Sequence, residues 1–150
     1  MNLLLDTHLL IWALNEDPRL PGKAREMILD ESNTIYYSSV SIWEVAIKHA
    51  GHPDNVEFTG KELAQFCQEA GFLPVEMRDR HVFALETITR AENAPPHHDP
   101  FYRMLVAQAK ADNMSFLTHN ALIPYYNEPC IMIRLTGCWS HRRKDRKSVV

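Results

Sequence analysis

The chain has 150 residues, 45% of them hydrophobic and 23% charged, which is the size and composition of one globular domain. This composition excludes a disordered or collagen-like chain, and apolar runs such as Leu3–Leu5 and Ile131–Ile133 are too short to span a membrane. The three cysteines, Cys67, Cys130 and Cys138, form no Cys-x-x-Cys pair. We therefore expect no disulfide framework and no zinc knuckle, and a location in a reducing cytoplasm.

The net charge of −3 is unevenly distributed along the chain. Residues 141–150 contain five Lys or Arg against one Asp, a charge of +4, so the other 140 residues carry −7. We expect one folded domain over residues 1–138 and a flexible basic tail over 139–150. An acidic body repels nucleic-acid phosphates unless a basic tail or a bound divalent metal intervenes. The N-terminus has no basic region and Asp6 interrupts its apolar run, so we expect no secretory signal peptide.

Short apolar runs that favour strands alternate along the chain with segments that favour helices. In chain order, the pattern predicts strand Leu3–Leu5, helices Thr7–Leu14 and Gly22–Leu29, strand Thr34–Tyr37, helices Ser39–Ala50 and Lys61–Ala70, strand Phe72–Val75, helices Arg78–Thr87 and Pro100–Asp112, and strands Ser115–Leu117 and Ile131–Ile133. Pro74 restricts its strand to a sheet edge, and Gly51 and Gly71 are expected to end helices. This alternation predicts a mostly parallel sheet with helices on both faces, with its site beyond the carboxyl ends of the strands.

Three acidic residues stand where such a site is expected. Asp6 directly follows the first strand, where it is either a rigid ligand for Mg²⁺ or Mn²⁺ or the N-cap of the next helix. Glu44 shares a narrow polar stripe with Ser41 and Lys48, either as a surface partner of Lys48 or as a carboxylate that points to the same metal as Asp6. Asp99 precedes a proline at a helix start, and capping alone explains an Asp at that position.

Other polar residues near these positions have two interpretations each. Thr118, His119 and Asn120 follow the fourth strand, either as part of the site or as a turn and helix cap. His97 and His98 are adjacent in a loop, so they diverge as a chelating pair and either face substrate or are merely exposed. The sequence contains no H-E-x-x-H, G-x-S-x-G, P-loop or G-x-G-x-x-G motif, which excludes the site classes that depend on them.

Three segments occur in a recognisable order. Leu3–Leu14 contains Leu-Leu-Leu-Asp-Thr-His, Ser38–Lys48 contains Ser-x-x-Ser-x-Trp-Glu-Val-Ala-Ile-Lys, and Pro96–Ala109 begins Pro-His-His-Asp-Pro-Phe-Tyr-Arg and is followed by Phe116–Thr118. Together they resemble PIN-domain proteins of the VapC toxin type over about residues 1–135. Each segment alone is weak evidence for the family, but three segments in the right order and at the right spacings make the match specific.

The resemblance implies a three-layer α/β/α sandwich around a parallel sheet of about five strands. It also implies a metal-dependent endoribonuclease that cleaves single-stranded RNA, usually the toxin of a toxin–antitoxin pair, with a cognate antitoxin and a homodimer as further partners. Clustered carboxylates in such proteins hold Mg²⁺ or Mn²⁺, which polarises the scissile phosphate and generates a hydroxide. At the matching positions of this chain the ligands and catalytic residues are Asp6, Glu44 and Asp99.

Two positions depart from the family's pattern. Tyr102 stands where the family has a second Asp, and Asn120 stands where it often has another. A tyrosine stays protonated near neutral pH and an asparagine brings no charge, so the three remaining acids suffice for one metal rather than two. The alternative is a catalytically degenerate PIN domain that binds RNA or a protein. The side chains expected to support the ligands or to contact substrate are Thr7, Ser41, Tyr102, Arg103, Thr118 and Asn120, and Arg103 and Lys48 either touch RNA or form structural ion pairs.

Overall fold

The computed structural model describes residues 1–96, 99–120 and 126–128, together with the backbone of residues 133–134. The strands are β1 (Asn2–Leu5), β2 (Thr34–Ser38), β3 (Leu73–Val75), β4 (Ser115–Thr118) and β5 (Ile133–Arg134). The helices are α1 (Thr7–Leu14), α2 (Gly22–Leu29), α3 (Ser39–Gly51), α4 (Gly60–Glu69), α5 (Asp79–Leu85) and α6 (Pro100–Ala111). The predicted tail at 139–150, the histidines His97 and His98, and Ile131 and Met132 of the last predicted strand lie outside the described residues.

The five strands form one parallel sheet in the order β3-β2-β1-β4-β5. Strand β1 is central, since Leu4 pairs with Tyr36 of β2 on one side and with Phe116 of β4 on the other. The chain therefore builds the sheet outward from β1 to β3 and then returns to the opposite side of β1. This reversal puts a topological switch point between the carboxyl ends of β1 and β4, where open α/β sheets bind their ligands.

Helices pack on both faces of the sheet because successive side chains of β1 point to opposite sides. Leu3 and Leu5 enter one core, which also contains Leu63 of α4. Leu4 enters the other core with Leu105 of α6. All five side chains are at most 1% exposed. The two cores give the α/β fold with a parallel sheet between helices that the sequence predicts.

Local chemistry accounts for most of the element boundaries. Helix α4 begins with a capping box in which Thr59 and Glu62 exchange side-chain and backbone hydrogen bonds. Gly71 follows this helix with φ = 82°, a conformation that favours glycine. As predicted, the proline-containing strand β3 lies at the edge of the sheet.

Several predicted boundaries differ from the observed ones by one or two residues, among them the ends of α3 and α5. The sequence predicts that α3 ends before Gly51, but Gly51 is the last helical residue and His52 is the C-cap. Helix α5 ends at Leu85 rather than at Thr87, because the amide and hydroxyl of Thr87 both donate to the carbonyl oxygen of Ala84 and turn the chain. Within the described part of the chain, no helix is long and apolar enough to cross a membrane.

Candidate active site

A cleft of about 240 Å³ opens at the switch point between β1 and β4, and we call it the switch-point cleft. The described residues that line it are Asp6, Thr7, His8, Trp12, Glu44, Asp99, Tyr102, Leu105, His119 and Asn120. Its acids come from three places in the chain. Asp6 lies at the β1–α1 junction, Glu44 in the middle of α3, and Asp99 at the N-cap of α6. The three acids that the sequence singles out therefore border one cleft, although they are far apart in the chain.

Asp6 joins the two strands that flank the switch point. Its backbone N–H donates to the carbonyl oxygen of Leu117 at 3.0 Å, which continues the pairing of β1 with β4. Its Oδ1 accepts from the N–H of Leu9 at 2.8 Å and caps α1, while Oδ2 accepts from the N–H of His119 at 3.1 Å. The carboxylate is 6% exposed, so these bonds hold it in one orientation at the floor of the cleft.

Glu44 is fixed by a chain of hydroxyl groups that runs back to α1. The hydroxyl of Thr7 donates to Oε1 of Glu44 at 2.9 Å. Since that hydroxyl has one hydrogen, it accepts from the hydroxyl of Ser41, which lies 2.9 Å away. Lys48, one turn along α3, donates to Oε2. Glu44 pairs with Lys48 as predicted, but at 4% exposure it is a buried residue rather than a surface one, and it also lines the cleft.

Asp99 is the N-cap of α6 and lines the cleft at the same time. Its Oδ1 accepts from the backbone N–H groups of Phe101 at 3.0 Å and Tyr102 at 3.1 Å. No described residue donates a hydrogen bond to Oδ2. Capping thus uses one oxygen of this carboxylate, and the other keeps its lone pairs for a ligand.

Tyr102 stands at the position where the resemblance described above predicts a second acid. Its ring is 5% exposed and packs edge-on against Phe116, with ring centroids 5.5 Å apart, and its hydroxyl lies 3.4 Å from the hydroxyl oxygen of Thr118. Burial, together with the nearby charges of Asp6 and Asp99, raises the pKa of Tyr102 well above its ordinary value. The phenol is therefore neutral throughout the physiological range, and it adds no charge to the cleft.

The remaining residues predicted for the site take different positions. Asn120 lines the cleft, and its backbone N–H donates to the hydroxyl oxygen of Thr118 at 3.2 Å. Ser41 and Thr118 are fully buried behind the cleft wall, where they touch Thr7 and Tyr102. Arg103 is not among the described residues that line the cleft. Its Nε is buried, and no described residue accepts a hydrogen bond from it.

Sequence reasoning did not select His8 and Trp12, both of which line the cleft. They are four residues apart on α1, and their rings meet edge to face with centroids 6.0 Å apart. Trp12 also meets the ring of His119 at 5.7 Å. The sequence could have indicated them by their helical spacing directly after Asp6, because residues one turn apart share a helix face.

The donor chemistry of the cleft suits a hard divalent cation, since Mg²⁺ and Mn²⁺ prefer carboxylate oxygens. Each oxygen of Asp6 and Glu44 that accepts one hydrogen bond still has a lone pair for a metal. Among the described residues, however, no three His, Cys, Asp or Glu side chains are grouped closely enough to form a ready-made metal site. The assignment of Asp6, Glu44 and Asp99 as ligands therefore stays a prediction.

Comparisons with known proteins agree with this architecture. The family model of the PIN domain matches residues 3–126. The structure is similar to a chain of the crystal structure of VapBC2 from Rickettsia felis bound to a DNA fragment from their promoter. The TM-score is 0.57 at 19% identity, over 80% of this chain and 89% of that one. A search of curated protein sequences gives no significant match. Because the family model spans most of the chain, including β1, α3 and the start of α6, the protein belongs to the PIN domain family.

Proposed function

We propose that this protein is a metal-dependent endoribonuclease that cleaves single-stranded RNA and acts as the toxin of a toxin–antitoxin pair. The observation that carries the proposal is the position of Asp6, Glu44 and Asp99 around one cleft at the switch point of a PIN fold. No Lys or Arg side chain is among the described residues that line this cleft, so a bound divalent cation would offset the repulsion between its acids and a phosphate.

Asp6, Glu44 and Asp99 are the proposed ligands of one Mg²⁺ or Mn²⁺ ion. When bound, such an ion supplies a hydroxide at neutral pH and neutralises charge on the scissile phosphate. The protein's own residues hold the ligands: Thr7 and Ser41 orient Glu44, and the amides of Leu9 and His119 orient Asp6. In this proposal Asn120 lines the cleft, Thr118 supports its wall from behind through Tyr102, and Arg103 either contacts RNA or forms a structural ion pair.

The proposed partners are the RNA substrate, a cognate antitoxin protein and a second copy of the chain. The antitoxin is proposed because the similar solved structure is that of VapBC2 bound to promoter DNA.

A homodimer is proposed because Trp43 and Ile47 of α3 are 52% and 48% exposed, and Trp43 packs edge-on against Phe101 of α6. An apolar patch of this kind is typical of protein contacts, and light scattering of Ile47→Asp against the unchanged protein tests it. We place the protein in the cytoplasm and the folded domain in residues 1–138.

A second candidate function is that of a degenerate PIN domain that binds RNA or a protein without cleaving it. The observation that favours it is Tyr102, whose buried, neutral ring occupies the position of a family acid. The two candidates differ in one measurable property, which is metal-dependent hydrolysis of a phosphodiester bond.

The test is cleavage of a mixed single-stranded RNA pool with Mg²⁺ or Mn²⁺, with and without EDTA. If the protein is a nuclease, 5′ and 3′ RNA fragments should appear only when metal is present, and the Asp6→Asn variant should produce none. The matched control is Asp79→Asn, an exposed acid in the first turn of α5 and outside the cleft, which should cleave like the unchanged protein. RNA that is bound but intact under every metal condition supports the degenerate domain.

A further inference from the structure

A second groove of about 520 Å³ adjoins the switch-point cleft, and we call it the adjoining groove. The two share Thr7, His8, Trp12 and Glu44, so they form one continuous surface. The groove's remaining described lining residues are Ile11, Asn15, Arg19, Val45, Lys48, His52, Asn55, Val56 and Glu57. It therefore runs between α1 and α3 towards the loop before α4, and one of its ends opens at the candidate catalytic acids.

Trp12 stands at the junction of the cleft and the groove. The guanidinium carbon of Arg19 lies 5.3 Å from its ring centroid, and the rings of His8 and His119 approach within 6.0 and 5.7 Å. The indole is half-buried, so part of it faces the groove. A half-buried indole beside a guanidinium offers a flat apolar surface for a base and a positive charge for the phosphate of the same nucleotide.

The groove differs from the cleft in carrying cationic side chains. The side chain of Arg19 is 66% exposed and that of Lys48 is 50% exposed. Asp17 accepts from Nε and Nη2 of Arg19, and no described residue accepts from its Nη1. Lys48 uses one of its three donors on Glu44. Both side chains are thus paired with an acid, and each has a donor that no described residue occupies and that an anionic partner could accept from.

We propose that the adjoining groove binds the segment of a single-stranded polynucleotide that leads away from the scissile bond. One base stacks on Trp12, and the neighbouring phosphates contact Arg19 and Lys48. This proposal rests on the proposed function, because an enzyme that cuts inside a strand must hold nucleotides beside the cut. The strand is single because a base has to leave a helix stack before it can lie on a side chain. Continuity with the acidic cleft and exposed positive charge favour a polynucleotide over a peptide.

The experiment measures RNA binding without cleavage. The full-length protein is titrated, in EDTA, into a fluorescein-labelled single-stranded RNA of mixed sequence and about 12 nucleotides, and the anisotropy is followed at several salt concentrations. The groove variants are Trp12→Leu and Arg19→Gln. The controls are Phe83→Leu, an exposed aromatic residue of α5, and Arg78→Gln. Arg78 matches Arg19 because it is 60% exposed and pairs with an acid two residues away, but it lies outside the groove.

We expect Trp12→Leu to weaken RNA binding about tenfold, as loss of one stacked base does. Arg19→Gln should lower the slope of log K against log salt by about 0.7, the value for one lost phosphate contact on a single strand. The two controls should bind like the unchanged protein, and thermal melting should show that all four variants are folded.

RNA affinity and salt slope that are unchanged in both groove variants overturn the proposal, whatever the nuclease assay shows. If the unchanged protein binds no RNA in EDTA, the groove does not hold the strand and this proposal fails, while the cleavage assay with metal decides the proposed function. Because the assay requires no metal and no cleavage, an inactive cleft does not mask the result.

Discussion

Individual carboxylates in this protein cap a helix and line the switch-point cleft at the same time. Asp6 caps α1 through Oδ1 and receives the amide of His119 through Oδ2, and Asp99 caps α6 while its second oxygen has no hydrogen bond from a described residue. Capping and ligand binding are often treated as competing explanations of an aspartate. They are compatible here because a carboxylate has about four lone-pair sites and a cap uses one or two of them.

The first prediction separates these two roles at Asp6. In Asp6→Asn the amide oxygen can still cap α1, because Asn is as good an N-cap as Asp, but the amide nitrogen cannot accept from His119. We expect the free energy of unfolding to change by no more than about 1 kcal/mol, and Mn²⁺ binding by calorimetry to be lost. A protein that fails to fold, or one that binds Mn²⁺ as before, would show that the carboxylate is mainly structural.

The second prediction concerns the two departures from the family's acids. Tyr102→Asp combined with Asn120→Asp adds two carboxylates to the wall of the switch-point cleft, so we expect tighter Mn²⁺ binding and faster RNA cleavage. Loss of the buried ring should cost about 3–5 kcal/mol of stability. Tyr102→Phe is the matched control, because it keeps the ring and removes only the hydroxyl near Thr118. Metal affinity that is equal in the double variant and the unchanged protein contradicts the prediction.

Helices and strands were predictable where local chemistry marks their ends. Helix α2 has the bounds that the sequence predicts, and Asp6 and Asp99 are the caps that it indicates. The order of the strands was not predictable, because a sequence pattern does not say on which side of β1 the strand β4 pairs. The placement of Glu44 beside Thr7 depends on that order and on the packing of α3, so spacing alone left its role open.

The third prediction tests the packing of α3 against α4. A Cβ added at Gly60 would lie 3.1 Å from the Cβ of Ala46 and 3.2 Å from the carbonyl oxygen of Ile42, so the helices approach too closely for a larger side chain. We expect Gly60→Val to destabilise the protein by about 1–3 kcal/mol in urea unfolding. Gly51→Ala is the control, since nothing lies within 4 Å of its added Cβ and Ala favours a helix, so stability should stay equal or rise. Equal stability of Gly60→Val and the unchanged protein would contradict this account of the contact.

The fourth prediction concerns the link between α5 and the end of α6. Asp112 accepts from Nε of Arg80 at 2.9 Å and lies 3.0 Å from Nε2 of His81. Partial burial alone raises the pKa of Asp112, but the hydrogen bonds from Arg80 and His81 outweigh it and lower the pKa below its ordinary value. The folded state therefore gains stability from this group above the unfolded pKa of about 3.9, and loses it as the pH falls through the lower folded value.

We accordingly expect Asp112→Asn to reduce the free energy of unfolding by about 1 kcal/mol at pH 7. The difference from the unchanged protein should shrink as the pH falls below about 4. Urea unfolding across this pH range measures it, with the exposed Asp79→Asn as the control. A difference that stays constant with pH would mean that the link depends on shape rather than on charge.

The whole molecule combines an acidic cleft with an adjoining groove that carries both acidic and cationic side chains. The acids gather at the switch point because the β1–α1 and β4 junctions meet there, while Arg19 and Lys48 border the adjoining groove. In the proposed function, a cation binds in the cleft and the phosphates of a polyanion contact the two cationic side chains of the groove. Composition alone indicated an acidic body, but only the fold shows that two exposed cationic side chains border a groove beside the acids.

The last prediction concerns the two parts into which the sequence divides. A chain shortened to residues 1–138 keeps all five strands of the sheet, so its free energy of unfolding and its melting temperature should equal those of the full chain. Removal of residues 139–150 takes away a charge of +4 from 141–150 and leaves a more acidic protein. Binding of single-stranded RNA in EDTA should therefore weaken at low salt and become less dependent on salt, because fewer counterions are released. Differential scanning calorimetry and anisotropy titrations of the two chains measure both effects. A fall in melting temperature would show that the folded unit extends past residue 138, and RNA binding with an unchanged salt slope would show that the basic residues do not contact the polynucleotide.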